Sequence, residues 1–371
     1  MNKKILVATT DYPDPKGKVI LMYIHVRNIY YKEQGLDVTV LNFSAKENYI
    51  IDGINVITLN TYKQTKEKYK LLICHAANLR NHYIFLKKFK DNFFKIIFFY
   101  HGHEVLKINK TYSEPYDFAK PLYIKKIFRD IYDDIKLYIW NRFVVTNIDK
   151  IFLVFVSKWM LDEFLKATKV PFNVIKENYM ITYNCIGKQF EKIIFNSQQE
   201  KEYDFLTIRA NLDGSKYSVD IVNELANNNP NMKFLLYGKG TFFKHFKKAP
   251  NLIWVNRTLN HYEISNVIQK CRCALMPTRT DSQGLMMCEL ASTGIPLITS
   301  DIPVCHEVFN DFENVIYINN DDKEINLEKI LMRIEKNEPY ERNKKYFNKN
   351  TSLKEVNLIK SIILGKGKGN G

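Results

Sequence analysis

None of the six cysteines, at positions 74, 185, 271, 273, 288 and 305, forms a C-x-x-C pair. That leaves neither a disulfide framework nor a zinc ribbon, and a reducing cytoplasm fits best. Long apolar runs are missing as well: FFKIIFFY and IFLVFV are the longest stretches, far short of the ~20 residues that span a bilayer. The lysines of MNKKILVATT precede only four or five apolar residues, too few for the core of a secretory signal and suited to a first strand. RNP, zinc-finger and basic-helix motifs are absent, which counts against the nucleic-acid-binding protein that so basic a chain invites.

With 371 residues, 46% of them hydrophobic, the chain exceeds the ~100–200 residues of one domain and can bury two cores. A formal charge of +15 favours phosphates, anionic lipid headgroups or nucleic acid as partners and does not bear on fold. Heavy use of Lys, Asn, Ile, Tyr and Phe also fits an AT-rich genome, so the basicity is discounted accordingly.

Short β-rich runs alternate with helical patterns: KILVATT (4–10), DVTVLNF (37–43), LLICHA (71–76), KIIFFY (95–100) and KIFLVFVS (150–157). They are apolar throughout rather than alternating, as in parallel strands covered on both faces. Residues 1–195 therefore read as a Rossmann-like domain. After the polar NSQQEKE (196–202), the alternation restarts with DFLTIRA, KFLLYG, NLIWVN, CALMPT, PLITS and NVIYIN, so residues 203–340 read as a second doubly wound domain. Residues 341–371 read as a helix, SLKEVNLIKSIILG, with a basic tail whose GKGKGNG end is too glycine-rich to hold structure. Two facing α/β domains leave a cleft, with ligands at the carboxyl ends of the strands.

Three constellations stand at such ends. In PTRTDSQGLMMCELASTGIPLITSDIPVCHEVF (277–309), a strand gives way to a polar loop and then a helix near Leu285. Asp281 and Glu289 can turn their carboxylates toward sugar hydroxyls, while Gly284 and the free N–H groups of the helix start suit a diphosphate. A capped helix with a solvated glutamate has the same sequence. In DFLTIRANLDGSKYSVDIV (204–222), Arg209 closes a strand and Lys216 opens a helix; together they can stabilise a departing diphosphate without metal, or lie on solvated surface. In FFYHGHEVL (98–106), His101, His103 and Glu104 follow a buried strand. They can serve a cleft, satisfy backbone groups or bind a metal, although no complementary cluster stands elsewhere.

The 277–309 segment resembles the E-x7-E signature of the retaining family 4 glycosyltransferases, followed by a G-x-P as in Gly294-Ile295-Pro296. It departs from that pattern in Asp281 for the first glutamate and Gln283 for a common phenylalanine. The resemblance implies an α/β, GT-B architecture of two Rossmann-like domains. It implies that Asp281 contacts the donor sugar, that Gln283, Gly284 and Leu285 line the sugar and phosphate, and that Glu289 binds the ribose. By the same resemblance Arg209 and Lys216 neutralise the leaving group, His101 lies near the donor sugar, Gly238 of Tyr237-Gly238-Lys239-Gly240 lies near the base, and Gly17 of DPKGK (14–18) remains from a glycine-rich loop. ITYNCIGKQF (181–190) is similar to the family's interdomain strand, with VSKWMLDEFLK (156–166) before it.

The expected activity is transfer of a sugar from a nucleotide-sugar donor to a saccharide or lipid-linked acceptor with retention, in bacterial surface polysaccharide synthesis, with no cofactor or metal. No D-x-D, the usual metal-binding motif of the other large transferase class, occurs in the chain. A GT-B sugar-nucleotide epimerase would share the architecture. Residues 61–145 carry 17 Lys and Arg against 8 Asp and Glu, interleaved with aromatics as in YIKKIFRDIYDDIKLYIW, so a cytoplasmic protein held peripherally on an anionic membrane leaflet is expected.

Overall fold

The computed structural model describes residues 4–18, 20–65, 67–322 and 324–364; the glycine-rich tail lies outside the described residues. The chain divides into two compact units, and the division does not follow the linear boundaries read from the sequence. The first unit comprises the chain up to Ile108, Asp130–Cys185 and everything from Phe347. The second comprises Asn109–Arg129 and Ile186–Tyr346.

In the first unit, strands β1 (Lys4–Thr9), β2 (Asp37–Asn42), β3 (Tyr49–Ile51), β4 (Ile54–Ile57), β5 (Leu71–His75), β6 (Lys95–Tyr100), β7 (Ile151–Phe155) and β8 (Tyr179–Ile181) form one sheet. Its order is β3-β4-β2-β1-β5-β6-β7-β8. Every pairing is parallel except the β3–β4 hairpin, which turns on Asp52 and Gly53, both at positive φ. The central strands are buried along their whole length, as β5 shows, because helices cover both faces of a parallel sheet. Gly35, at φ 81°, takes the left-handed conformation just beyond the helix Met22–Glu33 and turns the chain into β2. The helix Ser352–Leu364 seats Val356, Ile359 and Ile363 in the core beside β1, β2 and β5, so it is an element of this unit and not an appendage.

In the second unit, β9 (Tyr203–Asn211), β10 (Phe234–Lys239), β11 (Leu252–Val255), β12 (Cys271–Leu275), β13 (Leu297–Ser300) and β14 (Val315–Ile318) form an all-parallel sheet ordered β11-β10-β9-β12-β13-β14. The excursion Asn109–Arg129 packs here, with Tyr116 and Phe118 against the core around Phe242. Order within the sheet reverses beside β9 and β12, and such switch points open a crevice outside the carboxyl ends. Among the described residues, no helix is long and apolar enough to cross a membrane.

Candidate active site

Beyond the carboxyl end of β12, the loop to the helix Leu285–Ala291 is built around one carboxylate. Asp281 Oδ1 accepts the amides of Ser282 (2.8 Å), Gln283 (3.3 Å) and Gly284 (2.9 Å). Three of the backbone donors ahead of the helix are thereby committed to Asp281, and the donors left for a ligand begin with Leu285 in the first helical turn. Gly284 is required for its conformation, φ 73° and ψ 62°, which an L side chain rarely adopts. Behind the loop, Thr278 donates its amide to Ser300 Oγ (2.8 Å), and Asn320 closes the circuit with 2.6 Å and 3.0 Å bonds to Ser300 and the Thr278 carbonyl.

Glu289 lies one turn into the helix, 6% exposed, with neither hydrogen bond nor ion pair to any described residue. Burial alone pushes its carboxyl up to about 8. Gln283, six positions earlier, is also buried, with Nε2 3.6 Å from Cys288 Sγ. Burial first of all pushes up the neighbouring Cys288 thiol, and the charges of Asp281 and Glu289 push it the same way.

Arg209 sits near the carboxyl end of β9, which runs two residues further than the sequence pattern implied. The guanidinium is 6% exposed and donates Nη2 to the Pro277 carbonyl at 2.5 Å. Its Nε–H meets no acceptor among the described residues. Burial lowers its pKa, with Asp281 the leading opposing charge. Lys216 does not open a helix; it lies in the 3-10 turn Ser215–Tyr217, ahead of the helix Val219–Asn228. Its carbonyl accepts Thr278 Oγ1 and the Arg279 amide, both at 2.9 Å, so the Lys216 turn and the Asp281 loop are one hydrogen-bonded structure. Gly238 lies at the edge of this structure: a Cβ there would fall 2.4 Å from the Arg209 carbonyl, so close strand packing is what demands glycine.

Several residues of this site carried no motif. Arg279 forks onto Asp220 (2.9 and 2.7 Å) and donates to the Ser215 carbonyl (2.9 Å). Tyr116 donates to Asp220 at 2.8 Å, Ser113 Oγ meets Ser215 Oγ at 2.9 Å, and Tyr112 lies beside Lys216. All three belong to the excursion, which the sequence had assigned to the first domain.

In the first unit, His101 follows β6 half-buried, its Nε2 3.1 Å from His75 Nδ1 and its ring against Tyr23 at 4.5 Å. Burial and then the Arg27 charge hold it well below the ordinary histidine range, so it is neutral near pH 7. His103 is exposed. Glu104 folds back to accept the amides of His101 and Gly102, which makes it a turn-former and explains the H-x-H-E spacing. Among the described residues, no three His, Cys, Asp or Glu side chains come together as metal ligands. Gly17, at φ 95° with open space about it, closes a turn whose Lys16 and Lys18 amides donate to Asp14.

Residues 206–336 match the family model described as Glycosyl transferases group 1. No curated protein matches the chain by sequence. Among solved structures, sucrose-phosphate synthase from Thermosynechococcus elongatus superposes with a TM-score of 0.70 at 11% identity, over 98% of this chain and 100% of that one. WaaG, a glycosyltransferase involved in lipopolysaccharide biosynthesis, gives 0.60 at 12% identity over 96% and 99%. Anabaena HepE, solved in complex with UDP and glucose, gives 0.60 at 10% identity over 98% of each chain. The chain thus has the GT-B fold, and its residues 206–336 are similar to the glycosyl transferases group 1 domain.

Proposed function

We propose that this protein transfers a sugar from a nucleotide-sugar donor to a saccharide or lipid-linked acceptor with retention of anomeric configuration, as a step in building a bacterial surface polysaccharide. The observation that carries the reading is a complementary pair of unused groups in one unit. Arg209 is a buried cation with a spare N–H, and Glu289 is a buried carboxyl with no partner. Burying either costs free energy unless a ligand completes it. A nucleoside diphosphate does both, its phosphates meeting the guanidinium and its ribose hydroxyls meeting the carboxylate.

In this reading the leaving diphosphate gains charge as the glycosidic bond breaks, and Arg209, Lys216 and the Leu285 amide stabilise that charge more strongly in the transition state than in the ground state. Asp281 contacts the donor sugar through Oδ2, since Oδ1 holds the loop. Gln283, Gly284 and Gly238 shape the donor pocket. In the first unit, His101 beyond β6 and Gly17 beyond β1 are the residues assigned to the sugar side of the reaction, and the His101 imidazole is neutral at working pH. Metal is dispensable because the cations are supplied by side chains; activity that dies in EDTA and returns with manganese would contradict this.

Membrane attachment is part of the proposal. The helix Tyr123–Thr146 buries Leu137, Trp140, Phe143 and Val144 in its second half, but before them the usual distribution is inverted: Asp133 and Lys136 are buried and paired at 2.7 Å, while Tyr123 is 80% exposed and Phe128 65%. Ile124, Ile127, Ile131, Ile135 and Tyr138 continue that outward apolar face, with Lys125 exposed beside it. An apolar face flanked by bases suits an anionic leaflet, where the enzyme would work peripherally from the cytoplasm.

A thermal-shift screen against UDP, GDP, ADP and their sugars tests the donor reading. A ligand at 100 times its dissociation constant should stabilise by ~2.7 kcal/mol, and no response to any of them would overturn it.

A further inference from the structure

Two cations of the second unit have no ion-pair partner among the described residues. Lys216 Nζ lies over the Tyr217 ring, 4.8 Å from its centroid, and the Arg209 guanidinium lies over the same ring at 5.4 Å. Tyr112 offers a second face to Lys216 at 5.2 Å. Neither cation forms an ion pair with a described carboxylate; the Arg209 guanidinium donates to the Pro277 carbonyl, and the Asp281 charge acts on it without an ion-pair contact. Arg279, two residues from Pro277, is treated in the opposite way. Asp220 grips it bidentately, so its charge is cancelled and it serves to tie the loop together.

The contrast has a physical consequence. A carboxylate that positions a cation also neutralises it, and the pair presents little field to an incoming anion. An aromatic face attracts a cation through its quadrupole and carries no net charge, so the cation stays in place with its full charge available. Arg209 and Lys216 also repel one another, and a shared ring is a means of holding both near one spot without quenching either. Tyr217 is fitted for this: its amide donates to the Gly214 carbonyl at 2.9 Å, and its ring packs so closely on Gly214 that a Cβ there would lie 3.1 Å from Cδ2.

We propose that Tyr217, aided by Tyr112, is a positioning residue that holds Arg209 and Lys216 together, without an ion-pair partner on either, for the diphosphate of the donor. This rests on the donor-site reading above and adds the residues that position its cations.

Pyrophosphate is the probe, because it reports the diphosphate subsite whichever nucleotide and sugar the enzyme uses. Its binding to the full chain would be measured by calorimetry for the wild type, Arg209→Gln, Tyr217→Leu, Tyr217→Phe, and Tyr217 replaced by progressively fluorinated phenylalanines. Fluorination keeps the ring's shape and drains its face of negative potential, so a packing role would not respond to it. Tyr217→Phe should bind within about twofold of wild type, and the affinity should fall stepwise with fluorination to about 5- to 30-fold weaker, a loss that Tyr217→Leu should match. Thermal unfolding should stay constant across the aromatic series. If pyrophosphate fails to bind the wild type, or binds Arg209→Gln equally well, the diphosphate subsite itself is wrong and the inference falls with it. If Arg209→Gln loses pyrophosphate while the fluorinated variants bind like Tyr217→Phe, the subsite stands and the aromatic positioning is refuted. The fluorinated series decides the matter even where Tyr217→Leu fails to fold.

Discussion

Arg27 Nε donates to both carboxylate oxygens of Glu355 at 3.2 Å, joining the helix Met22–Glu33 to the helix Ser352–Leu364 across 328 positions of sequence. Asn184 and Tyr31 complete the cluster, accepting from Arg27 at 2.7 Å and donating to Glu355 respectively. Both charged groups are fully buried, so each is the other's counter-charge away from water.

Removing one member should therefore cost far more than removing both. Glu355→Leu is expected to destabilise the protein by about 3–5 kcal/mol, because a buried guanidinium loses its counter-charge, whereas Arg27→Met combined with Glu355→Leu should recover most of the loss. Urea unfolding of the two variants checks this, and equal destabilisation by the single and double variants would count against it.

Glu289 should make nucleotide binding depend on pH. Its carboxyl titrates near 8 when the site is empty, and ribose hydroxyls are best accepted by the carboxylate, so affinity for the matching nucleoside diphosphate should rise with pH and level off above 8. Glu289→Gln should bind with little pH dependence, near wild-type affinity at pH 6 and roughly 10- to 150-fold more weakly above pH 8, mostly in donor KM. Calorimetric titrations at pH 6, 7, 8 and 9 give the comparison.

The same group sets a stability trend of the opposite sign. A glutamate whose folded pKa lies above its unfolded value binds more protons in the native state, so its contribution is greatest at low pH and is lost as pH rises from about 4.5 to about 8. Glu289→Gln should flatten this part of the urea-midpoint profile, with its relative gain largest at pH 9. Parallel profiles for both proteins would mean that burial does not govern this carboxyl.

Asp281 has separable duties. Asp281→Asn keeps an oxygen for the Ser282, Gln283 and Gly284 amides but loses the charge near Arg209, so kcat should fall with the thermal midpoint unchanged. Asp281→Ala also releases the three amides and should lower stability by about 1–2 kcal/mol. Steady-state kinetics beside thermal unfolding distinguishes the two, and a destabilised Asn variant would contradict the assignment.

Flotation with liposomes tests the inverted helix. Ile124→Glu with Ile131→Glu should abolish recovery with anionic vesicles and leave folding within about 0.5 kcal/mol, since both side chains face solvent. Equal wild-type recovery with neutral and anionic vesicles, or indifference to salt, would remove the charge from the argument.

The alternation of apolar runs and helical patterns determined two sheets whose central strands are parallel, because strands covered on both faces have no choice but to be apolar throughout. It determined the helix start at Leu285, while the left-handed conformation that requires Gly284 came from the structure. Asp52-Gly53 was equally legible as a hairpin turn and went unread. What the tertiary structure decided was the company each residue keeps. The placement of Tyr112 and Tyr116 beside Lys216 and Asp220, like that of Glu355 beside Arg27, depends on stretches of chain that leave one unit for the other. Local patterning records only what lies within a turn or two along the chain, and says nothing of contacts closed over a hundred positions or more. The same limit hid the inverted face of Tyr123–Thr146, because a helix pattern gives the apolar stripe its spacing while only the packed core shows which stripe is left outside.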